Sequence, residues 1–245
     1  MVRVALIPAR GGSKGIKRKN IKSFLNKPLI YWSIKIALDS NYFDRVIVST
    51  EDQEIANIAK KFSAEVPYLR PQEFAKDESA GIEPVLDILE KIPEITDLLL
   101  LQPTSPLRRI EDIEEIFKLR EFHDSDSAVS ITPSTKPLSL HVELNNKNEI
   151  IPLSNNYDIK PRQQYPKNYT FNGSLYLSKK DSIIKHKSLI TPKTIGYVMP
   201  EKYSIDIEFT RHFVDRLNDP RNNPEIKVAE LQRFFKKIQR AKGQN

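Results

Sequence analysis

Residues 8–20 bring three of the chain's seven glycines, Gly11, Gly12 and Gly15, together with Arg10, Lys14, Lys17, Arg18 and Lys19. Glycine lets a backbone approach a phosphate closely, and successive N–H groups in such a turn form an anion cradle. Arg10 can add a bidentate fork to phosphate oxygens. The combination suits a polyphosphate, although a basic glycine turn read alone is equally well a structural or solvated loop. Its spacing matches neither the Walker loop nor the G-x-G-x-x-G dinucleotide fingerprint. Farther along, Asp206 and Glu208 stand two apart in a segment that reads as a strand, which puts both carboxylates on one face. Hard oxygen ligands of that kind suit Mg²⁺, while the same pair without its surroundings reads as solvated acids. Gln102, Thr104 and Ser105 follow an all-apolar strand and so fall beyond its carboxyl end, where ligands of α/β sheets sit; the two hydroxyls also suit a hydrogen-bonded turn.

Other chemistries are excluded. The chain has no cysteine, which removes disulfides, thiolate zinc sites and cysteine nucleophiles. His123, His141, His186 and His212 are too scattered for a zinc motif, and no G-x-S-x-G elbow is present.

The elements that must position these residues follow from periodicity. Residues 3–8, 45–50, 65–69, 98–101 and 127–132 read as strands. Between them, stripes at Ile30, Ile34, Ala37 and Leu38, at Ile55, Ile58, Ala59 and Phe62, at Val85, Ile88, Leu89 and Ile92, and around Ile113 and Phe117 read as helices, the first opening at Pro28. Such alternation predicts an α/β fold: a mainly parallel sheet with helices on both faces. It stops near Pro133. Residues 133–170 are rich in Pro, Asn, Ser and Lys, and the alternating Leu140, Val142 and Leu144 before an Asn-rich turn predict a projecting β-hairpin arm, with a long surface loop as the alternative. The main lobe resumes at 172–178, continues through 194–199 and ends with 203–207 running into a helix. Two Asn/Asp/Pro breaks near residue 220 then separate residues 1–219, one domain that includes the arm, from a basic helical extension at 220–245.

Charge is concentrated at the two ends of the chain, which carries +7 net. Residues 1–38 hold nine Lys and Arg and no acid, and residues 220–245 hold seven against two. With no basic stripe interleaved with aromatics and no reading module, this predicts a compact polyanion as partner rather than a nucleic acid. The helical stripe at Val228, Leu231, Phe235 and Ile238 favours packing on the lobe or a partner subunit over a membrane. No apolar run approaches the length of a spanning helix and Pro8 and Arg10 cut the opening run short, so a cytoplasmic protein is expected.

Taken in order, Pro8-Ala9-Arg10-Gly11-Gly12-Ser13-Lys14-Gly15 with Lys19-Asn20, Val48-Ser49-Thr50, Leu69-Arg70-Pro71, Leu101 to Arg108 (LQPTSPLR), Pro161-Arg162-Gln163, Asn172-Gly173 and Ile205-Asp206-Ile207 resemble the acylneuraminate cytidylyltransferases. The resemblance covers about residues 3 to 217. It implies a Rossmann-like nucleotidyltransferase fold, a three-layer sandwich with a mainly parallel sheet and a protruding dimerisation arm. It also implies CTP as donor, a nine-carbon 2-keto sugar acid as acceptor, a magnesium cofactor and a homodimer. Carried over residue by residue, Ala9, Arg10, Ser13, Lys19 and Asn20 would hold the triphosphate and ribose. Arg70, Ser79 and Gly81 would lie along a segment closing over cytosine, with Ser79 equally suited to an N-cap. Gln102, Thr104, Ser105 and Asn172 would face the acceptor, Arg162 would reach across a dimer to its carboxylate, and Asp206 and Glu208 would hold the metal. Arg10 and Asp206 would be the catalytic pair. The family's usual Asp is Glu208 here, the hydroxyl residue usual near Gly81 is displaced to Ser79, and Lys136-Pro137-Leu138-Ser139 lacks the lysine of the arm's His-Pro-x-Lys element. A cytidylyltransferase for the eight-carbon acid 3-deoxy-manno-octulosonate and a non-catalytic nucleotide-binding module are the alternatives.

Overall fold

Strand β1 (Arg3–Pro8) turns Val4 and Leu6 to one face and Ala5 and Ile7 to the other, and all four are fully buried. A strand covered on both faces requires that uninterrupted apolar run. In the computed structural model, which describes residues 1–12, 18–75, 81–134, 136–153 and 161–204, β1 lies inside a six-stranded sheet. After the glycine turn, a two-residue hairpin, β2 (Ser23–Phe24) and β3 (Lys27–Pro28), leads into α1 (Leu29–Asp39). Pro28 precedes the helix as its N-cap instead of opening it. There follow β4 (Arg45–Ser49), α2 (Gln53–Lys61), α3 (Glu83–Lys91), β5 (Asp97–Leu101), α4 (Ile110–Phe122) and β6 (Ser127–Pro133). The arm carries β7 (Val142–Leu144) and β8 (Ile150–Pro152), after which β9 (Tyr169–Lys179), α5 (Lys180–His186) and β10 (Ile195–Val198) return to the lobe.

The sheet order is β10-β6-β9-β5-β1-β4. β1 pairs in parallel with β4 and β5, and β10 with β6, whereas β9 runs antiparallel between β5 and β6. Two apolar layers sandwich the sheet. Ile30, Ile34, Ile55, Ala59, Ile113 and Phe117 from α1, α2 and α4 pack on one face; Val85, Ile88, Leu89 and Ile183 from α3 and α5 pack on the other. Each helical stripe read from sequence thus supplies core residues, although Leu38 is exposed. An inter-element ion pair, Arg120 to Asp97, is buried at the amino end of β5.

The expected strand at 65–69 reduces to one parallel bridge between Glu65 and Ile47, with Glu65 N–H donating to the Val46 carbonyl at 2.8 Å and Val48 N–H donating to Glu65 at 2.8 Å. Pro67 has no N–H to extend the ladder. The predicted hairpin forms: Val142 pairs with Pro152 and Leu144 with Ile150, and the Asn145 carboxamide accepts both the Lys147 and Glu149 N–H groups at 2.9 Å. At the base of the arm Pro133 pairs with Tyr169, and Ser134 N–H donates to the Asn168 carbonyl at 2.8 Å. Leu138, Val142, Leu144, Ile150, Ile151 and Phe171 are exposed apolar residues of the arm and its base. The basic extension at 220–245 lies outside the described residues. Among those residues no helix is long and apolar enough to cross a membrane.

Candidate active site

The neighbouring strands β1 and β5 run in parallel, so the glycine turn and the Gln102 turn leave the same edge of the sheet. Ala9 is fully buried, and its N–H continues the ladder to the Ser49 carbonyl at 2.9 Å. The next carbonyl, of Arg10, accepts the side-chain N–H of buried Asn20 at 2.9 Å, which ties the exit of the strand to the chain beyond the turn. Arg10 and Lys19 are half-buried and Gly12 is exposed. Gly11 has a steric reason to be glycine, because a Cβ there would stand 2.4 Å from Asp52 Oδ2.

Two acids at the end of β4 organise the turn. Glu51 Oε1 accepts the Gly11 N–H at 2.6 Å, and Glu51 Oε2 accepts from the Arg70 guanidinium at 2.9 Å. Asp52 Oδ1 is the N-cap of α2, accepting Glu54 N–H at 2.9 Å and Ile55 N–H at 3.0 Å. The same Oδ1 takes the Arg18 guanidinium at 2.8 Å, and Glu54 takes it at 2.8 Å as well. Arg18, counted among the loop's cations from sequence, is therefore neutralised by the start of α2. Its backbone is left-handed, with φ 60°. Arg70 is buried, and its N–H donates to the Thr50 carbonyl at 2.8 Å. Gly81 is exposed, and a Cβ there would meet no atom of the described residues within 4 Å.

At the exit of β5, the Gln102 carbonyl accepts the Ser105 N–H at 3.2 Å, closing the turn, and also accepts from the Arg108 guanidinium and the Ser33 hydroxyl. Arg108 is buried; its guanidinium donates further to Ser33 Oγ at 2.8 Å and Ser174 Oγ at 3.3 Å, joining α1, the turn and β9. These contacts hold the backbone of Gln102. Among the described residues none of its hydrogen bonds uses the side-chain amide. Ser105 is fully buried, its hydroxyl without a partner among the described residues, and Thr104 is half-buried.

Asn172 lies near the start of β9, on the same edge because that strand runs the other way. It is buried: Oδ1 accepts from Ser130 Oγ at 2.6 Å and Ser174 N–H at 3.1 Å, while Nδ2 donates to Ser204 Oγ at 2.9 Å and approaches Met199 Sδ at 3.3 Å. Ser204 immediately precedes the Ile205-Asp206-Ile207-Glu208 segment. The neighbouring Tyr203 lies under Arg109, 4.2 Å from guanidinium carbon to ring centroid. Arg109 in turn is held by fully buried Asp112 at 2.7 Å, which also accepts the Tyr197 hydroxyl at 2.8 Å. The hydrogen bond to Asp112 raises the Arg109 pKa, and burial, followed by the Asp112 contact, pushes the Tyr197 phenol well up.

The structure thus brings Ala9, Arg10, Lys19, Asn20, Arg70, Gln102, Thr104, Ser105 and Asn172 to one sheet edge. Ser13, Ser79, Asp206 and Glu208 lie outside the described residues, and Arg162 opens a short helical turn, Arg162–Gln164, ahead of β9. Among the described residues no group of three His, Asp or Glu side chains could hold a metal ion. Sequence reasoning missed Glu51, Asp52, Ser33 and Ser130. Only the first pair left a signal there: two acids at a parallel strand's carboxyl end, facing an acid-free basic turn.

This fold matches a solved CMP:2-keto-3-deoxy-manno-octonic acid synthetase complexed with CTP, with a TM-score of 0.64 and 16% identity over 89% of this chain and 97% of that one. It is the Rossmann-like, three-layer fold of the nucleotidyltransferases. Residues 4–234 match the family model described as Cytidylyltransferase, and the chain belongs to that family. It is 29% identical over 235 residues to the N-acylneuraminate cytidylyltransferase of Streptococcus agalactiae serotype III, covering 95% of this chain but 57% of that relative, so it spans little more than half its length. It is 32% identical over 210 residues to the CMP-N,N'-diacetyllegionaminic acid synthase of Legionella pneumophila, covering 84% of this chain and 90% of that relative.

Proposed function

We propose that this chain is a CTP-dependent cytidylyltransferase that activates a nine-carbon 2-keto sugar acid to its CMP-sugar and releases pyrophosphate. One observation carries the reading. The exits of adjacent strands β1 and β5 present the glycine turn and the Gln102 turn side by side, while Asn172 anchors Ser204, two residues ahead of Asp206, at the same edge. Neighbouring strands lie about 4.8 Å apart, so groups leaving these ends are within the span of one nucleotide. The names of the relatives support the donor and the acid class, and the resemblance of Asp206 and Glu208 to the family's metal carboxylates supports magnesium.

In this reading the acceptor's anomeric 2-hydroxyl attacks the α-phosphorus of CTP in line, the bond to the bridging oxygen breaks and pyrophosphate departs; no covalent enzyme intermediate forms. Gly11, Gly12 and Asn20 shape the cradle, and Arg10 offsets the charge that develops as pyrophosphate leaves. Asp206 and Glu208 would hold a magnesium ion, which would supply further neutralisation of the phosphate charge. Gln102 presents its amide to the acceptor, and Arg162 pairs with the acceptor's carboxylate from the partner subunit. Positioning and electrostatics carry the chemistry. The exposed apolar residues of the hairpin and of Phe171 support a second copy of this chain as the arm's partner.

The test is pyrophosphate release with CTP, Mg²⁺ and a panel of neuraminic, legionaminic, pseudaminic and eight-carbon acids. Turnover with CTP and a nine-carbon acid, depressed by Arg10→Ala and by Asp206→Asn in folded protein, is expected. Activity with ATP but not CTP, or wild-type rates in both variants, would overturn the reading.

A further inference from the structure

Glu51 makes two contacts that join opposite ends of the candidate nucleotide site. Its Oε1 takes the Gly11 N–H at 2.6 Å, at the opening of the phosphate turn; its Oε2 takes the Arg70 guanidinium at 2.9 Å, at the opening of the segment expected over the base. The Glu51 side chain is 11% exposed and that of Arg70 2%, so water screens the pair weakly. Neither backbone needs Glu51 as its anchor. Ala9 is held by the Ser49 carbonyl at 2.9 Å and Arg70 by the Thr50 carbonyl at 2.8 Å. What Glu51 adds is the orientation of one peptide N–H and of one guanidinium.

We propose that Glu51 is a positioning residue for the nucleotide: a carboxylate bridge that sets the Gly11 peptide and the Arg70 guanidinium in register, so that the phosphate and base ends of CTP bind as one unit. The proposal rests on the cytidylyltransferase reading above. Charge alone predicts the opposite behaviour. Removing a carboxylate beside a triphosphate site lowers repulsion and would tighten CTP, whereas removing a bridge loosens it.

The experiment is calorimetric titration of CTP into the wild-type protein, Glu51→Gln and Glu51→Asp, with steady-state kinetics and melting temperatures alongside. Charge-assisted hydrogen bonds of this kind predict a CTP affinity weakened about 10- to 100-fold in Glu51→Gln. KM for CTP should rise in parallel while saturated kcat stays within about threefold, the pattern of lost uniform binding. Glu51→Asp retains the charge that neutralises Arg70 but is one methylene shorter, so it should fold and recover part of the affinity. If Glu51→Gln does not fold, Glu51→Asp carries the test with an expected loss of about threefold or more. Unchanged or tighter CTP binding in a folded Glu51→Gln, or wild-type affinity in Glu51→Asp when it stands alone, overturns the bridge. A wild-type protein that does not bind CTP overturns the cytidylyltransferase reading and the bridge with it.

Discussion

Replacing Gly11 by alanine tests whether the start of α2 holds the glycine turn. The added Cβ would stand 2.4 Å from Asp52 Oδ2, closer than such atoms approach, and 3.0 Å from its Cβ, a tight contact, so the Asp52 side chain must rotate away. Rotation breaks the bonds from Asp52 Oδ1 to the Glu54 and Ile55 N–H groups, a cap worth about 1 kcal/mol. It also breaks the ion pair to Arg18, whose side chain is 34% exposed, for about 0.5 kcal/mol more. The sum, about 1.5 kcal/mol, corresponds to a fall in melting temperature of roughly 3–6 °C for a chain of this size. Displacing the turn should lower kcat/KM for CTP by about tenfold or more, since misplacement by an ångström is costly in a positioned site. Gly12→Ala is the control, because a Cβ there meets no atom of the described residues within 4 Å and the melting temperature should not fall. Differential scanning calorimetry and initial rates read both effects. A Gly11→Ala protein that melts and turns over like the wild type would refute the close-approach argument.

Arg108→Met removes the donors to Ser33, Ser174 and the Gln102 carbonyl; about 3 kcal/mol of stability should go with them, and a denaturant midpoint unchanged from wild type would contradict that role. Tyr68 donates to Asp87 at 2.7 Å and Tyr197 to Asp112 at 2.8 Å, and burial first, then the carboxylate, holds both phenols well above their ordinary value of 10.0. The folded state therefore keeps two protons that the unfolded state releases above pH 10.0, so this stability is present below that pH and lost as pH rises past it. A protein carrying both Tyr68→Phe and Tyr197→Phe should show a shallower alkaline decline in denaturation midpoint; parallel declines would rule this out. Leu144→Asp with Phe171→Asp should turn a dimer into a monomer by sedimentation, and an unaltered mass would remove the apolar arm surface as the contact.

Much of the sheet was legible because parallel strands covered on both faces leave an unmistakable apolar run, as at Leu98 to Leu101, and because helices repeat their buried face every three or four residues. Residues 65–69 misled because alternation says nothing of whether a neighbour is available to pair, and Pro67 halts the ladder after Glu65. At the site, loops with a distinctive composition could be read in advance. Residues that work by holding another residue could not. Arg108, Ser33 and Ser130 act through partners 42 to 75 positions away, and nothing local in their neighbourhoods marks such contacts. Asn172 shows the same limit: the resemblance implies a place facing the acceptor, but the bonds of its amide to Ser130, Ser174 and Ser204 have no local sequence signal.

The antiparallel course of β9 has an architectural consequence. Pro133 and Tyr169 stand opposite one another across a ladder, so everything between them forms a cassette whose two ends are already joined by the lobe itself. Lengthening, shortening or exchanging the cassette leaves the strand ends that carry Ser130 and Asn172 where they are. An excised version closed by a tight turn at residues 134–168 would remove the hairpin and Arg162 together while leaving the exits of β1 and β5 on an unchanged sheet, so nucleotide binding could be read apart from whatever the cassette contributes.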